Sequence, residues 1–140
     1  MKPFQHQRRV HFHECDPAGI VYFAHVFTFC HEAYEELMRA GGLPIETLLT
    51  GATVYPLRHV EADFTGPMRM GDLVTIAVVI GKLGERSFRV DYTVRDPQGA
   101  PLATSASVHV AVDKASMRPV AIPPPVRAWL EQHLAAPGAP

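Results

Sequence analysis

Glu14-Cys15-Asp16-Pro17-Ala18-Gly19-Ile20-Val21-Tyr22-Phe23 is an acidic turn that runs directly into the longest helical pattern of the chain. Pro17 fixes its own φ and biases Asp16 towards extended geometry, while Gly19 reaches dihedrals closed to other residues. Such a turn aims one carboxylate. The helix that follows is predicted over residues 24–40, and no Ser, Thr, Asp or Asn stands between Pro17 and His25 to cap its first N–H groups. Those donors need another partner: a ligand oxygen, or water or a neighbouring turn. In the first case Asp16 stands close to a helix N-terminus whose amides and dipole favour developing negative charge. In the second it is an ordinary turn residue.

Upstream of the turn, residues 8–14 alternate Val10 and Phe12 against Arg9, His11 and His13, which predicts a half-buried strand. Downstream, Val26, Phe29, Cys30, Ala33, Leu37 and Ala40 recur at three- and four-residue spacing, and Phe27, Tyr34 and Met38 widen the stripe. Only the line Thr28, Glu32, Glu35 and Arg39 is left for water, so a sheet should enclose this helix. Arg39, Gly41-Gly42 and Pro44 end it, and residues 44–50 read as a short second helix closed by Gly51.

Strands are then predicted over 55–64, 73–83, 87–95 and 102–113, separated by Gly66-Pro67, Gly71-Asp72, Gly84-Glu85 and Asp96-Pro97-Gln98-Gly99. The pattern predicts an antiparallel meander. Phe88, Val90, Tyr92 and Val94 alternate with polar residues, the mark of a sheet covered by core on one face. Along the last strand Leu102, Thr104, Ala106, Val108, Val110 and Val112 alternate with Ala103, Ser105, Ser107, His109, Ala111 and Asp113. The small polar row is expected on the outer face, where a second subunit packs. From about residue 114 the chain is a Pro-rich tail with a short helix over 126–134 and a frayed end at 137–140. Residues 1–140 thus read as one α+β domain whose sheet curls around a central helix.

Composition excludes several classes of function. At 47% hydrophobic residues and a formal charge of −1, the chain is neither disordered by composition nor a basic nucleic-acid binder. Its longest apolar tract, within residues 73–80, falls far short of the roughly 20 residues that cross a bilayer. Met1-Lys2-Pro3-Phe4-Gln5 lacks the apolar core of a secretory signal, and the two cysteines, Cys15 and Cys30, lack CxxC spacing. A reducing, cytoplasmic location is expected. His11, His13, His25 and His31 do not make a legible metal set, and His31-Glu32-Ala33-Tyr34-Glu35 ends in Glu where the HExxH motif needs histidine. Spacing gives Cys15 no support as a nucleophile with His13 or His25 as base, and there is no G-x-S-x-G elbow, P-loop or dinucleotide fingerprint.

Asp16-Pro17-Ala18-Gly19-Ile20-Val21-Tyr22-Phe23, placed between a strand and a helix, resembles the signature of hotdog-fold acyl-CoA thioesterases of the 4-hydroxybenzoyl-CoA thioesterase type. The resemblance continues through Cys30-His31-Glu32-Ala33-Tyr34-Glu35, through Tyr55-Pro56-Leu57-Arg58-His59-Val60-Glu61-Ala62-Asp63-Phe64 and through Gly71-Asp72, and covers about residues 8–113. These later segments are most similar to the 1,4-dihydroxy-2-naphthoyl-CoA thioesterase branch, which acts in quinone biosynthesis. The resemblance implies a five-stranded antiparallel sheet wrapped around one long helix, and hydrolysis of an acyl-CoA thioester. It implies that Asp16 attacks the thioester carbonyl or activates the attacking water, while the backbone N–H of Phe23 holds the carbonyl oxygen.

The same resemblance implies that Gly19, Tyr22, Phe27, His31, Tyr55 and Leu57 surround the acyl group, and that Lys82, Arg86 and Ser87 meet the nucleotide end of coenzyme A. Gly84 and Glu85 stand where the family's richest basic cluster carries further positive charge. His31 replaces the acid that reads the ring hydroxyl in hydroxybenzoyl-specific enzymes; its alternative role is an i,i+4 pair with Glu35. The site is implied to lie between subunits of a homodimer or dimer of dimers, with no metal and no cofactor beyond the coenzyme A of the substrate. Other readings stay open: a broad-specificity short- or medium-chain acyl-CoA thioesterase, a hotdog branch whose catalytic acid is Glu32 or Glu35, and a non-catalytic domain that binds acyl-CoA or an acylated carrier. Against the last stands Asp16, for which a binding module has no use.

Overall fold

The structure, a computed structural model, describes residues 2–136. Its centre is the helix α1, His25–Ala40, whose Val26, Phe29, Cys30, Ala33, Tyr34, Leu37 and Met38 are buried. They face the alternating apolar rows of β4, Leu73–Leu83, and β5, Ser87–Arg95. Val74, Ile76, Val78 and Ile80 of β4, with Phe88, Val90, Tyr92 and Val94 of β5, form the sheet side of that core. The helix is wrapped because it has almost no hydrophilic circumference to offer to water.

Five antiparallel strands make the sheet. With β1 at Phe4–Arg9, β2 at Thr53–Val54, β3 at Leu57–Phe64 and β6 at Pro101–Val110, the order is β1-β4-β5-β6-β3. A small pair of β2 with β7, Val112–Asp113, lies beside it. This is the hotdog arrangement of one long helix inside a curved antiparallel sheet.

Three expectations are corrected. The first strand lies earlier than residues 8–14: β1 runs from Phe4 opposite Val78 to Arg9 opposite Leu73. The chain leaves the sheet at Val10, which is 1% exposed, and Phe12–Glu14 form a 3₁₀ turn that leaves Phe12 80% exposed. That turn forms because the Glu14 carboxylate takes the His11 N–H at 2.7 Å, closing a cap that a strand would forbid.

The meander holds only for β4-β5-β6. Strand β3 does not return beside β4 but pairs with β6 at the opposite edge, from Leu57 opposite His109 to Phe64 opposite Ala103. The connection between β3 and β4 crosses one end of the sheet, where Met68 is buried and its carbonyl accepts the Val21 N–H at 2.8 Å. Hence the acidic turn sits at that end.

The small polar row of β6 faces inward, not outward. Ala103, Ser105, Ser107 and His109 are buried, and each lies opposite a core residue of β5: Val94, Tyr92, Val90 and Phe88. Cys30 of α1 meets Ser105 there, and hydrogen bonds neutralise the polar atoms. Ser105 donates to the Glu61 carbonyl at 2.8 Å, and the Tyr92 hydroxyl meets Ser107 at 3.2 Å. The His109 ring lies between Phe88 and Tyr34, with centroid distances of 5.0 and 4.8 Å.

The helix α2, Ile45–Leu49, is tied to α1 by Arg39, whose guanidinium meets Glu46 at 2.6 Å. The Pro-rich tail is packed: in α3, Pro124–Gln132, the residues Val126, Trp129 and Leu130 are buried, and the Trp129 indole donates to the Gly41 carbonyl at 3.1 Å. The expected frayed end, 137–140, lies outside the described residues.

Burial lowers the His109 pKa to about 4, although the hydrogen bond to the Tyr55 carbonyl works the other way. Unfolding therefore takes up a proton between the ordinary histidine value and about pH 4, and stability falls as pH drops through that window. NMR titration of the ring should show His109 neutral from pH 8 to about pH 5, with the proton on Nδ1. A midpoint near the ordinary histidine value would contradict the buried network.

Candidate active site

The acidic turn is a miniature hairpin. Tyr22 N–H donates to the Glu14 carbonyl at 2.9 Å, Cys15 bridges Val21, and Asp16 N–H donates to Ile20 at 2.9 Å. Gly19, at φ +80°, makes the tip, a conformation that other residues rarely adopt. One carboxylate oxygen of Asp16 accepts the Ala18 N–H at 2.8 Å, which fixes the side chain on its own turn. The carboxyl is half-buried, and among the described residues no cation pairs with it. It is thus held in place while keeping acceptor capacity.

Helix α1 starts without a side-chain cap, as the sequence implies. Its first turn is closed by the N–H groups of His25, Val26 and Phe27, which donate to Tyr22, Phe23 and Ala24. Among the described residues, the N–H groups of Phe23 and Ala24 have no acceptor. Two bare amides at the positive end of a helix lie next to the turn that carries Asp16.

What fastens this turn is Arg8, which sequence reading passed over. Its guanidinium donates to both Glu14 oxygens at 3.0 and 2.8 Å, meets Glu32 at 3.0 Å, and lies 3.8 Å from the centroid of the Phe29 ring. One side chain therefore joins β1, the entry of the turn and α1. Burial alone would raise the Glu14 pKa, but the Arg8 hydrogen bonds, the His11 N–H and the Arg8 charge outweigh it and hold the carboxyl below its ordinary range. The clamp is complete above that ordinary value and is lost as pH falls through the lowered one. The signal in the sequence was Glu14 itself, an acid buried beside an arginine-bearing strand.

The remaining expected site residues fall into two further groups. His31 and Leu57 line a cavity of about 340 Å³ between α1 and β3, together with Phe27, Val60, Tyr92 and Ser107. Tyr55 does not line it; its ring lies 6.1 Å from Phe88 and its carbonyl accepts the His109 Nδ1–H at 3.3 Å. His31 makes no pair with Glu35, which meets Arg39 at 3.6 Å instead. Tyr22 and Phe23 are 46% and 56% exposed beside the turn.

Lys82, Arg86 and Ser87 sit on the β4–β5 hairpin at the other end of the sheet. Eleven residues of β4 separate the two ends, roughly 30 Å. Within one chain the acidic turn and this hairpin do not come together. The hairpin is braced by the Arg127 guanidinium, which donates to the Gly84 and Glu85 carbonyls and adds a cation that sequence reading did not foresee.

Strand β3 has one free edge and is exposed along nearly its whole length, with Leu57, Val60 and Phe64 between 41% and 49% exposed. Edge strands of this kind are usually blunted or covered. Among the described residues, no helix is long and apolar enough to cross a membrane.

Comparison with known proteins agrees with this geometry. The 1,4-dihydroxy-2-naphthoyl-CoA hydrolase of Nostoc punctiforme is 35% identical over 131 residues, 93% of this chain and 88% of that one. Its counterpart in Synechococcus elongatus is 32% identical over 94% of this chain and 97% of that one. The crystal structure of a 1,4-dihydroxy-2-naphthoyl-CoA thioesterase from Synechocystis superposes with a TM-score of 0.85 at 27% identity, covering 91% of this chain and 94% of that one. Residues 10–130 match the model of the thioesterase-like superfamily, and the chain belongs to that family.

Proposed function

We propose that this protein hydrolyses an aromatic acyl-CoA thioester, with Asp16 as the reacting carboxylate and the bare N–H of Phe23 as oxyanion donor. One observation carries the reading: a carboxylate fixed by its own turn and, among the described residues, paired with no cation, beside two amides at a helix start that have no acceptor there. Relatives named 1,4-dihydroxy-2-naphthoyl-CoA hydrolase support an aromatic acyl group of that class. No cofactor is needed, since coenzyme A is part of the substrate, and two free cysteines accord with a reducing, cytoplasmic location.

The chemistry asks little beyond placement. As nucleophile, an Asp16 oxygen bonds to the carbonyl carbon while the negative charge collects on the carbonyl oxygen facing Phe23 N–H. The C–S bond then breaks, the thiolate leaves and takes a proton from solvent, and water cleaves the resulting anhydride. As general base, Asp16 instead takes a proton from the water that attacks the carbonyl directly. Either course uses one water and gives the free acid and the thiol of coenzyme A. A missing oxyanion donor costs about 10²–10³ in rate in known cases, which sets the scale of what the Phe23 amide supplies.

The site is completed by a second copy. Antiparallel pairing of two β3 edges would turn the Asp16 end of one chain towards the Leu57 and hairpin end of its partner, joining the groups that one chain keeps roughly 30 Å apart. It would also cover Leu57, Val60 and Phe64. In this arrangement the acyl group enters the α1–β3 cavity, and Lys82, Arg86 and Ser87 meet the phosphates.

Asp16→Asn keeps the oxygen that accepts the Ala18 N–H, so the variant should fold and melt like the wild type. Its kcat should fall by about 10²–10⁴; steady-state activity within threefold of wild type would overturn the assignment. Light scattering at micromolar concentration should give a dimer or tetramer, and a clean monomer would contradict the shared site.

A further inference from the structure

The α1–β3 cavity is lined by apolar Phe27, Leu57 and Val60, by His31, Glu32 and Glu35 of the helix, and by a floor of hydroxyls from Tyr92, Ser105 and Ser107. The protons of that floor can be traced. A carbonyl oxygen only accepts, so the contact of 3.3 Å between His109 Nδ1 and the Tyr55 carbonyl puts the hydrogen on Nδ1. Buried and neutral, the ring then offers Nε2 as an acceptor, and the Ser107 hydroxyl donates to it at 3.0 Å. The Ser107 oxygen in turn accepts the Tyr92 hydroxyl hydrogen at 3.2 Å.

The relay runs one way, Tyr92 to Ser107 to His109 to the Tyr55 carbonyl. Ser105 commits its hydrogen to the Glu61 carbonyl at 2.8 Å. All three floor hydroxyls therefore have their hydrogens committed, and those of Tyr92 and Ser105 keep lone pairs to offer. A bound group meets acceptors there, and leaving them unpaired once water is displaced costs more than a made hydrogen bond returns.

We propose that Tyr92, held by Ser107 and His109, together with Ser105, forms the specificity-determining floor of the acyl pocket and reads a ring hydroxyl by accepting its hydrogen. The ligand class is a hydroxylated aryl acyl group. The assignment rests on the α1–β3 cavity being the acyl pocket of the proposed function. Tyr92 would touch the substrate; Ser107 and His109 act through it as positioning residues.

The test is equilibrium binding of free aryl acids, which requires no hydrolysis. Calorimetry would compare hydroxy-2-naphthoates bearing the hydroxyl away from the carboxylate with the fluoro analogues, fluorine being of similar size and unable to donate. Wild type should prefer hydroxyl over fluorine by about tenfold at one ring position at least. Tyr92→Phe removes the Tyr92 acceptor and leaves that of Ser105, and Ser107→Ala releases the Tyr92 hydrogen to become a donor; in each, the preference should fall at least about threefold. Thermal melting and circular dichroism identify any variant that fails to fold, in which case the other decides. No preference in wild type, or a preference intact in the folded variants, overturns the proposal. Because nothing is hydrolysed, an active Asp16→Asn would refute the catalytic assignment and leave this result standing.

Discussion

A guanidinium wedged between two carboxylates and a phenyl ring holds the acidic-turn end of this molecule together. Arg8 comes from an edge strand, Glu14 from the mouth of the turn, and Glu32 and Phe29 from the central helix. Arg8 and Glu14 are largely withdrawn from water, so deleting Arg8 would leave the buried Glu14 carboxylate without its cation at a cost on the order of 3 kcal/mol. The short turn between them has few options left: its entry is tied to the strand, its exit is the first turn of the helix, and Gly19 closes the tip. Asp16 is thereby placed by constraints that lie outside it.

The same architecture keeps the groups of the proposed site apart, which is why two copies are proposed to share them. The helix must be enclosed, and the sheet that encloses it is long, so groups at its two ends are far apart. Strand β3 lies at the margin with both faces open, and the cavity lies between it and α1. An exposed strand edge and exposed apolar side chains are a poor final state for an isolated chain but a ready surface for a second copy. Charge at the hairpin, apolar walls at the cavity and the carboxylate at the turn then fall along one groove under the proposed reading.

Much of this was legible in the residues. The helix, the strands Leu73–Leu83 and Ser87–Arg95 and the uncapped helix start follow from period, turn chemistry and missing capping residues, all of them local. What failed was decided at longer range. The alternation at 8–14 gave way because Arg8 and the His11 amide both hold the Glu14 carboxylate and bend the chain into a 3₁₀ turn. No local signal tells β3 to pair with β6 rather than β4. The small polar row of β6 lies inward although its alternation with valines predicts the opposite face, because Ser105 and Ser107 find hydrogen-bond partners there.

The most direct measurement is a crystal structure with a thioether analogue of the substrate in which a methylene separates sulfur from the aryl ketone, so that the carbonyl remains and cannot be hydrolysed. The account predicts the ketone oxygen about 3 Å from the Phe23 nitrogen, the Asp16 carboxylate against the carbonyl carbon, and the aryl ring in the α1–β3 cavity of a partner chain. A ketone bound elsewhere, with the Asp16 carboxyl turned to solvent and the Phe23 amide facing no ligand atom, would contradict it.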